Sequence, residues 1–272
     1  MKLKKHHKGS PIRRAKFANG ELMLSAARTI KLYDLDKGKV VRKFQNDHIK
    51  IYSLLVIDNY LFCIGDDEGN FKAWDYRVDR GVFMHLKECD DYISDLDVNQ
   101  SKRIVVASSG EGTLSAFNIR AKRMETPQSE LFDAGFQSVK FLEERSKVLV
   151  GAEDGAINIF NENEWGNISD RFPIRRNTSR GQGGCSVDNL QVLEDNVIAA
   201  GTSEGNLLAV NVLPNRILAK ICTHNSSIET VCVNRETQTI ISSNDNIIKV
   251  NKYKEKSEND VQDKGFFGDL VE

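Results

Sequence analysis

The stretch "DDEGNFKAWDYR", Asp66 to Arg77, decides how the chain is read. Acids and a glycine lead into a run that alternates polar and apolar and stops at Trp74-Asp75. Acids beside a lone tryptophan are compatible with an active site. They are equally compatible with the punctuation of a repeated hairpin. Copies elsewhere in the chain distinguish the two.

Copies exist. The place of Asp75 recurs as Asp34 in "KLYDL", Asn118 in "SAFNI", Asn161 in "NIFNE", Asn211 in "LAVNV" and Lys252 in "IKVNK". The intervals are 41, 43, 43, 50 and 41 residues. Ahead of each strand stands a turn with an acid, usually followed by glycine: Glu68-Gly69, Glu111-Gly112, Asp154-Gly155 and Glu204-Gly205. The last unit has Asp245-Asn246, and the first departs with Ala27-Arg28. Acid-Gly between apolar runs is a hairpin signal, because glycine accepts the positive φ of a tight turn.

The strand after each turn alternates. Its inward pairs are Ile30/Leu32, Phe71/Ala73, Leu114/Ala116, Ile157/Ile159, Leu207/Ala209 and Ile248/Val250, all apolar. The residue between is polar in every unit but the fifth, which has Leu208. Such a period predicts a strand with one buried face. Shorter apolar runs precede each turn. Short strands at a spacing of about 40–45 residues predict an all-β fold of four-stranded blades, a β-propeller with six recognisable units. Residues 1–252 form the propeller in this reading, and 253–272 a polar C-terminal tail.

Composition agrees. The 272 residues carry a net charge of −1, with 28% charged and 40% hydrophobic residues. This is an ordinary globular balance with enough chain for a sizeable core. The longest unbroken apolar run, Tyr60 to Ile64, is far too short to span a bilayer, and no membrane partner is expected. The basic N-terminus lacks the apolar segment of a secretory signal. Five scattered cysteines without C-x-x-C read as reduced thiols, not a disulfide or zinc framework.

The repeats resemble those of the WD40-repeat family, with one true Trp-Asp among them. "YSLLVIDNYLFCIGDDEGNFKAWDYR", "SDRF" at Ser169–Phe172, "NVLPNR" at Asn211–Arg216 and "FFGDL" at Phe266–Leu270 narrow the resemblance. They point to a ribosome-biogenesis branch of that family with fungal members. The resemblance runs from roughly Pro11 to Leu270. It implies a nuclear and nucleolar protein, with the cytoplasm also open to it. It implies a scaffold that supports large-subunit rRNA processing by holding protein assembly factors. It also implies seven repeats where six are counted. The chain then lacks about one blade at its N-terminus, through a truncated gene model or a diverged copy. It closes as six blades, recruits Met1–Lys5 as a strand, or leaves an open edge, which is an aggregation liability.

In this family a His, an acid, a hydroxyl and a Trp form a buried tetrad in each blade. His48, Glu68 and Trp74 fill three such places, with Asp66 at the hydroxyl position. The last unit offers His224, Ser243 and Asp245, with Asn251 in place of Trp. Each set resembles a catalytic triad in composition, but the expected role is to tie strands together. No G-x-S-x-G and no phosphate-binding G-x-x-x-x-G-K-[ST] occurs. "RGQGGCS" falls in the long interval and reads as a surface insertion. The expectation is a protein that is not an enzyme, with no cofactor, no metal and no small-molecule substrate.

Three features remain for partners. The segment Met1–Lys16 holds seven Lys/Arg and no acid, which suits a nuclear address or phosphate contact. Arg171, Arg175, Arg176 and Arg180 form a second basic group that could meet pre-ribosomal RNA. Trp74-Asp75-Tyr76-Arg77 matches the W-D-x-R box by which WD40 substrate receptors dock on the adaptor of cullin-RING ubiquitin ligases. This is the alternative function, with Trp74, Asp75 and Arg77 as contacts. Phe266 and Phe267 in the tail read as a docking motif, or as a segment that folds back onto the blades.

Overall fold

The computed structural model describes residues 11–19, 22–47, 49–78, 81–125, 127–174 and 185–253. They form six antiparallel blades, and each blade is a simple up-and-down meander. Two compact units divide between Asp133 and Ala134, with three blades in each.

In the first unit, blade one is β1 (Arg14–Asn19), β2 (Leu22–Ala26), β3 (Thr29–Asp34) and β4 (Lys39–Gln45). Blade two is β5 (Ile51–Val56), β6 (Leu61–Asp66), β7 (Asn70–Asp75) and β8 (Val82–Lys87). Blade three is β9 (Ile93–Val98), β10 (Ile104–Ser109), β11 (Leu114–Asn118) and β12 (Arg123–Glu125). In the second unit, blade four is β13 (Phe136–Leu142), β14 (Lys147–Ala152), β15 (Ala156–Asn161) and β16 (Glu164–Pro173). Blade five is β17 (Val187–Glu194), β18 (Val197–Thr202), β19 (Asn206–Asn211) and β20 (Arg216–Thr223). Blade six has, among the described residues, β21 (Thr230–Asn234), β22 (Thr239–Ser243) and β23 (Ile248–Lys252). One 3-10 turn at Glu143–Arg145 is the sole helical element among the described residues.

The turn glycines behave as their spacing predicts. Gly69, Gly112, Gly155 and Gly205 all close the hairpin between the second and third strands with positive φ. At Gly69, with φ +77°, a Cβ would lie 2.1 Å from the Cys89 carbonyl oxygen, so a side chain is excluded twice over. The turn at Asp245-Asn246 takes another route. Asn246 is not among the residues of positive φ; Asn244 closes the turn by accepting the Ile247 N–H at its Oδ1, 3.2 Å away.

One expectation needs correction. Both faces of the inner strands are covered, not one, because each blade packs between neighbours. Phe71 and Ala73 meet Ile93, Leu96 and Phe117 of the following blade, while Trp74, Phe62 and Ile64 meet Leu24, Ile30 and Leu32 of the preceding one. Strands buried on both faces read as continuous apolar runs, which is why β6, β14 and β18 do so. Three of the polar residues between the inward pairs are buried too: Lys72, Ser115 and Asn158.

A side-chain hydrogen bond recurs between neighbouring blades. The third residue of a blade's first strand donates to a backbone carbonyl at, or just ahead of, the start of the next blade's first strand. Ser53 Oγ reaches Ile93 O at 3.0 Å, Ser138 Oγ reaches Val187 O at 3.3 Å, and Asn189 Nδ2 reaches Ile228 O at 2.7 Å. Such bonds satisfy backbone groups that stacking would otherwise strand away from water.

The last inward pair is the exception to burial. Ile248 is 70% exposed and Val250 64%, whereas the other ten residues of these pairs are 3% exposed or less.

Candidate partner-binding surfaces

The opening stretch resolves into a buried knot and an exposed corner. At the knot, Asp66 lies at the end of β6 and is fully buried. Its Oδ1 accepts N–H bonds from Glu68 at 3.1 Å and Asn70 at 3.0 Å, and the Asn70 amide at 2.9 Å. Lys72 Nζ stands 3.6 Å from Asp66 Oδ2 and donates to Asn46 Oδ1 at 2.8 Å. A buried charge persists where it is paired and hydrogen-bonded, and both partners meet that condition here. Glu68 was the expected acid of this knot. It points into solvent, and Asp66 does its work from two residues earlier. His48 lies outside the described residues.

Blade six shows a related pair. His224 Nε2 is 2.8 Å from Ser242 Oγ, and both residues are buried. The hydroxyl expected in this place was Ser243. Successive strand residues face opposite sides, so Ser242 turns toward blade five and Ser243 away from it. A hydroxyl sealed from solvent cannot meet a substrate, and the pair ties β22 to the segment after β20. Asp245 is exposed at the turn. Two of the other turn acids are engaged in hydrogen bonds and an ion pair. Glu111 accepts the Asp90 N–H at 2.6 Å and the Thr113 hydroxyl at 2.5 Å. Asp154 accepts the Ala156 N–H at 3.1 Å and pairs with Arg171. Glu204 sits beside Gly205 in the corresponding turn of blade five.

The exposed corner is Asp75-Tyr76-Arg77. Trp74 does not belong to it. The indole is buried and stacks on Phe62 with centroids 5.3 Å apart, so it is a core residue and not a contact. The Arg77 guanidinium folds back onto Asp75, with Nε 3.0 Å and Nη2 2.5 Å from the two carboxylate oxygens, and lies 4.4 Å over the Tyr60 ring. These hydrogen bonds hold the Asp75 carboxyl below its usual range. Arg42 donates to the Tyr76 and Val78 carbonyls and pins the corner to blade one. The Arg77 side chain remains 58% exposed.

The second basic group is dispersed. Arg171 belongs to strand β16, not to a loop, and its charge is engaged by Asp154. Arg175, Arg176 and Arg180 lie outside the described residues, as do the glycine-rich stretch to Gly184, the segment Met1–Ser10, and Phe266 and Phe267.

A basic group that the sequence did not single out stands at one end of blade three. Lys102 and Arg103 lie in the β9–β10 turn, Arg120 and Lys122 in the β11–β12 turn, and Arg123 opens β12. All five are exposed. The two turns are held side by side by the Ile119 N–H bond to Arg103 O at 2.9 Å. Asn99 Oδ1 braces the first by accepting the Arg103 and Ile104 N–H groups, each at 3.1 Å. Among the described residues Lys102, Arg103 and Arg120 have no carboxylate partner. The opposite end of the blade carries Glu88, Asp90, Asp91, Glu111, Glu130 and Asp133, so the blade is electrically polarised. The signal was present as "SKR" and "IRAKR". Only the register of β10 on β11 shows that the two runs adjoin.

Blades of this kind define a β-propeller built from repeated four-stranded units. The chain belongs to the WD40-repeat family. It is 32% identical over 202 residues to WD repeat-containing protein 55 of Rattus norvegicus, covering 74% of this chain and 50% of that protein. Against the protein of the same name from Homo sapiens it is 31% identical, covering 75% and 51%. Against the homolog from Aedes aegypti it is 30% identical, covering 85% and 48%. The chain thus spans about half the length of the curated relatives it matches. No protein-family model matches it. Among solved structures, the computationally designed Ika8 protein superposes with a TM-score of 0.68 at 19% identity, covering 88% of this chain and 70% of that one. That likeness speaks for the fold alone.

Proposed function

We propose that the protein is a non-catalytic scaffold of nucleolar ribosome biogenesis that supports large-subunit rRNA processing. It holds protein assembly factors on rigid blades and meets pre-ribosomal RNA through the basic end of blade three. The resemblance of its motifs to the ribosome-biogenesis branch of the family carries the reading. Five exposed cations at one blade end support it, because phosphate contacts are made by clustered Lys and Arg. The two polar sets that mimic triads, around Asp66 and His224, are buried in hydrogen bonding between strands.

The experiment is affinity capture of the full chain from nuclear extract, joined to depletion of the protein. Recovery of large-subunit assembly factors, with accumulation of unprocessed large-subunit rRNA precursors on depletion, is the expected result. Recovery of the cullin-RING adaptor, its loss in Arg77→Ala, and normal rRNA processing on depletion would overturn the reading in favour of a substrate receptor. The alternative requires Arg77 to exchange Asp75 for a partner's carboxylate or carbonyl. Its 58% exposure permits that.

A further inference from the structure

At the basic end of blade three, two lysines stand where the backbone does not favour them. Lys102 has φ +55° and Lys122 φ +56°. This left-handed region disfavours residues with a Cβ and suits glycine. The β3–β4 turn of blade one shows the relaxed version. There Asp34 Oδ1 accepts the Lys37 N–H at 2.8 Å, as Asn118 Oδ1 accepts the Ala121 N–H at 2.9 Å in blade three. The next position in blade one is Gly38, φ +63°, where blade three has Lys122. A lysine standing where glycine fits is a strained outlier, and such outliers gather at functional positions.

The surroundings of these cations select among forms of RNA. Lys102, Arg103 and Arg120 have no carboxylate partner among the described residues, and Arg123 meets Glu125 only at 3.9 Å. Proteins that hold single strands combine a basic groove with aromatic rings on which bases stack. Among the described residues, this end of the blade has neither. Its cations stand on two adjoining hairpin turns, which make a tip and not a groove. The ring beside them, Phe83, is half-buried, with Lys122 Nζ 5.4 Å from its centroid. The exposed aromatic side chains, Phe17 and Tyr60, belong to blades one and two. Duplex RNA makes no such demand. Its bases are already paired, and it presents phosphates at fixed positions along an A-form helix.

We propose that this end of blade three binds the phosphate backbone of duplex RNA without reading its sequence. The inference rests on the scaffold reading above for the presence of RNA, and on blade three alone for the form of that RNA. Lys102, Arg103 and Arg120 donate N–H bonds to phosphate oxygens, and Lys122 adds its charge at the second tip. Asn99 and Asn118 already hold the two turns through their side-chain oxygens, so little ordering is needed on binding. The acids at the opposite end of the blade repel the same polyanion and so direct it to the basic end.

Fluorescence anisotropy of the purified full chain tests this, with labelled RNA duplexes of about 16 base pairs, a length that one duplex-binding module spans. Two duplexes of unrelated sequence should bind within about twofold of each other, and their separated strands about tenfold more weakly. With three phosphates neutralised, log affinity should fall against log salt with a slope of about −2.7, so that a fourfold rise in salt weakens binding about 40-fold. Lys102→Gln/Arg103→Gln/Arg120→Gln should lose most of that slope. Lys39→Gln/Lys43→Gln/Lys220→Gln removes as much exposed charge from blades one and five and should keep it. Lys102→Gly/Lys122→Gly should weaken duplex binding about tenfold yet raise the thermal midpoint, because glycine relieves the left-handed strain. Tighter binding of single strands, a strong preference for one duplex sequence, an equal loss of slope in both triple variants, or a lowered midpoint in the glycine variant would overturn the proposal. So would the absence of duplex binding. If the same chain still recovered assembly factors from nuclear extract, the scaffold reading would stand without this contact.

Discussion

Blades five and six are built from the same sequence signature and end in different states. Across blade five the residues facing blade six are led by Ala199 and Ala209, both fully buried. The same row in blade six is Cys232, Ile241 and Val250. There Ile241 is 39% exposed and Val250 64%. Asn189 of blade five donates to a carbonyl of blade six. Thr230, which follows Ile228 by two residues as Asn189 follows Val187, has no such acceptor among the described residues. The difference does not lie in the strands, since the row of blade six is the more apolar of the two. It lies in what covers them. In a stacked architecture, alternation encodes which side chains face a neighbour, and the neighbour supplies the burial.

The largest effect expected from this comparison comes from a charge placed in each row. Ala209→Asp buries an unpaired carboxylate and should lower unfolding free energy by roughly 4 kcal/mol or more. Ile241→Asp keeps its carboxylate near water and should cost about 1 kcal/mol, the scale of a strand preference. Urea denaturation of both variants measures the gap. Equal losses would show that the face of blade six is covered in solution.

How much of this was legible follows from the same point. The six repeats, the hairpin glycines and ten of the twelve inward residues depend on local pattern, which sequence carries directly. Ile248 and Val250 share that pattern, but their exposure depends on a non-local partner. The polar sites were less legible. Glu68 looked like the buried acid because the turn acid recurs at its place, yet the connection to Lys72 runs through Asp66. Ser243 was preferred to Ser242 although a shift of one residue reverses the face of a strand. Trp74 drew attention as half of a docking box, but its position at the end of β7 makes it core. The cations of blade three were missed because Arg103 and Arg120 stand 17 positions apart, and only strand pairing brings them together.

The turns offer a smaller contrast between the same two blades. Gly205 has φ +81°, and a Cβ there would stand 2.4 Å from the His224 carbonyl oxygen. Gly205→Ala should therefore cost about 2–4 kcal/mol, from left-handed strain and the displaced backbone together. Asn246→Ala in blade six should stay within about 0.5 kcal/mol, since this residue is exposed and not at positive φ. Thermal or urea midpoints decide the matter. A comparable loss at Asn246 would mean that the last turn is held as tightly as the glycine turns.

The smallest effect is chemical, and it compares the open row with a covered one. In blade two the row is Leu55, Cys63 and Ala73, with Cys63 fully buried. In blade six the row begins with Cys232, which is exposed. Burial pushes the Cys63 thiol far above its ordinary value, so it lacks both access and thiolate. At mildly alkaline pH a thiol-alkylating probe should modify Cys232 quickly and Cys63 only as fast as the protein unfolds. The same burial sets a sign for stability against pH. The unfolded Cys63 thiol ionises near about 8.5, while the folded one stays protonated well beyond that. Stability is then intact below about 8.5 and declines as pH rises past it, because only the unfolded state gains by losing the proton. Cys89, pushed up by burial to about 11, adds to the same decline. Replacing Cys63 by Ala should flatten the alkaline limb and leave Cys232 labelling unchanged. Labelling of Cys63 and Cys232 at equal rates in the folded protein would show that the covered row opens as readily as the exposed one, and the distinction between the two blades would fail.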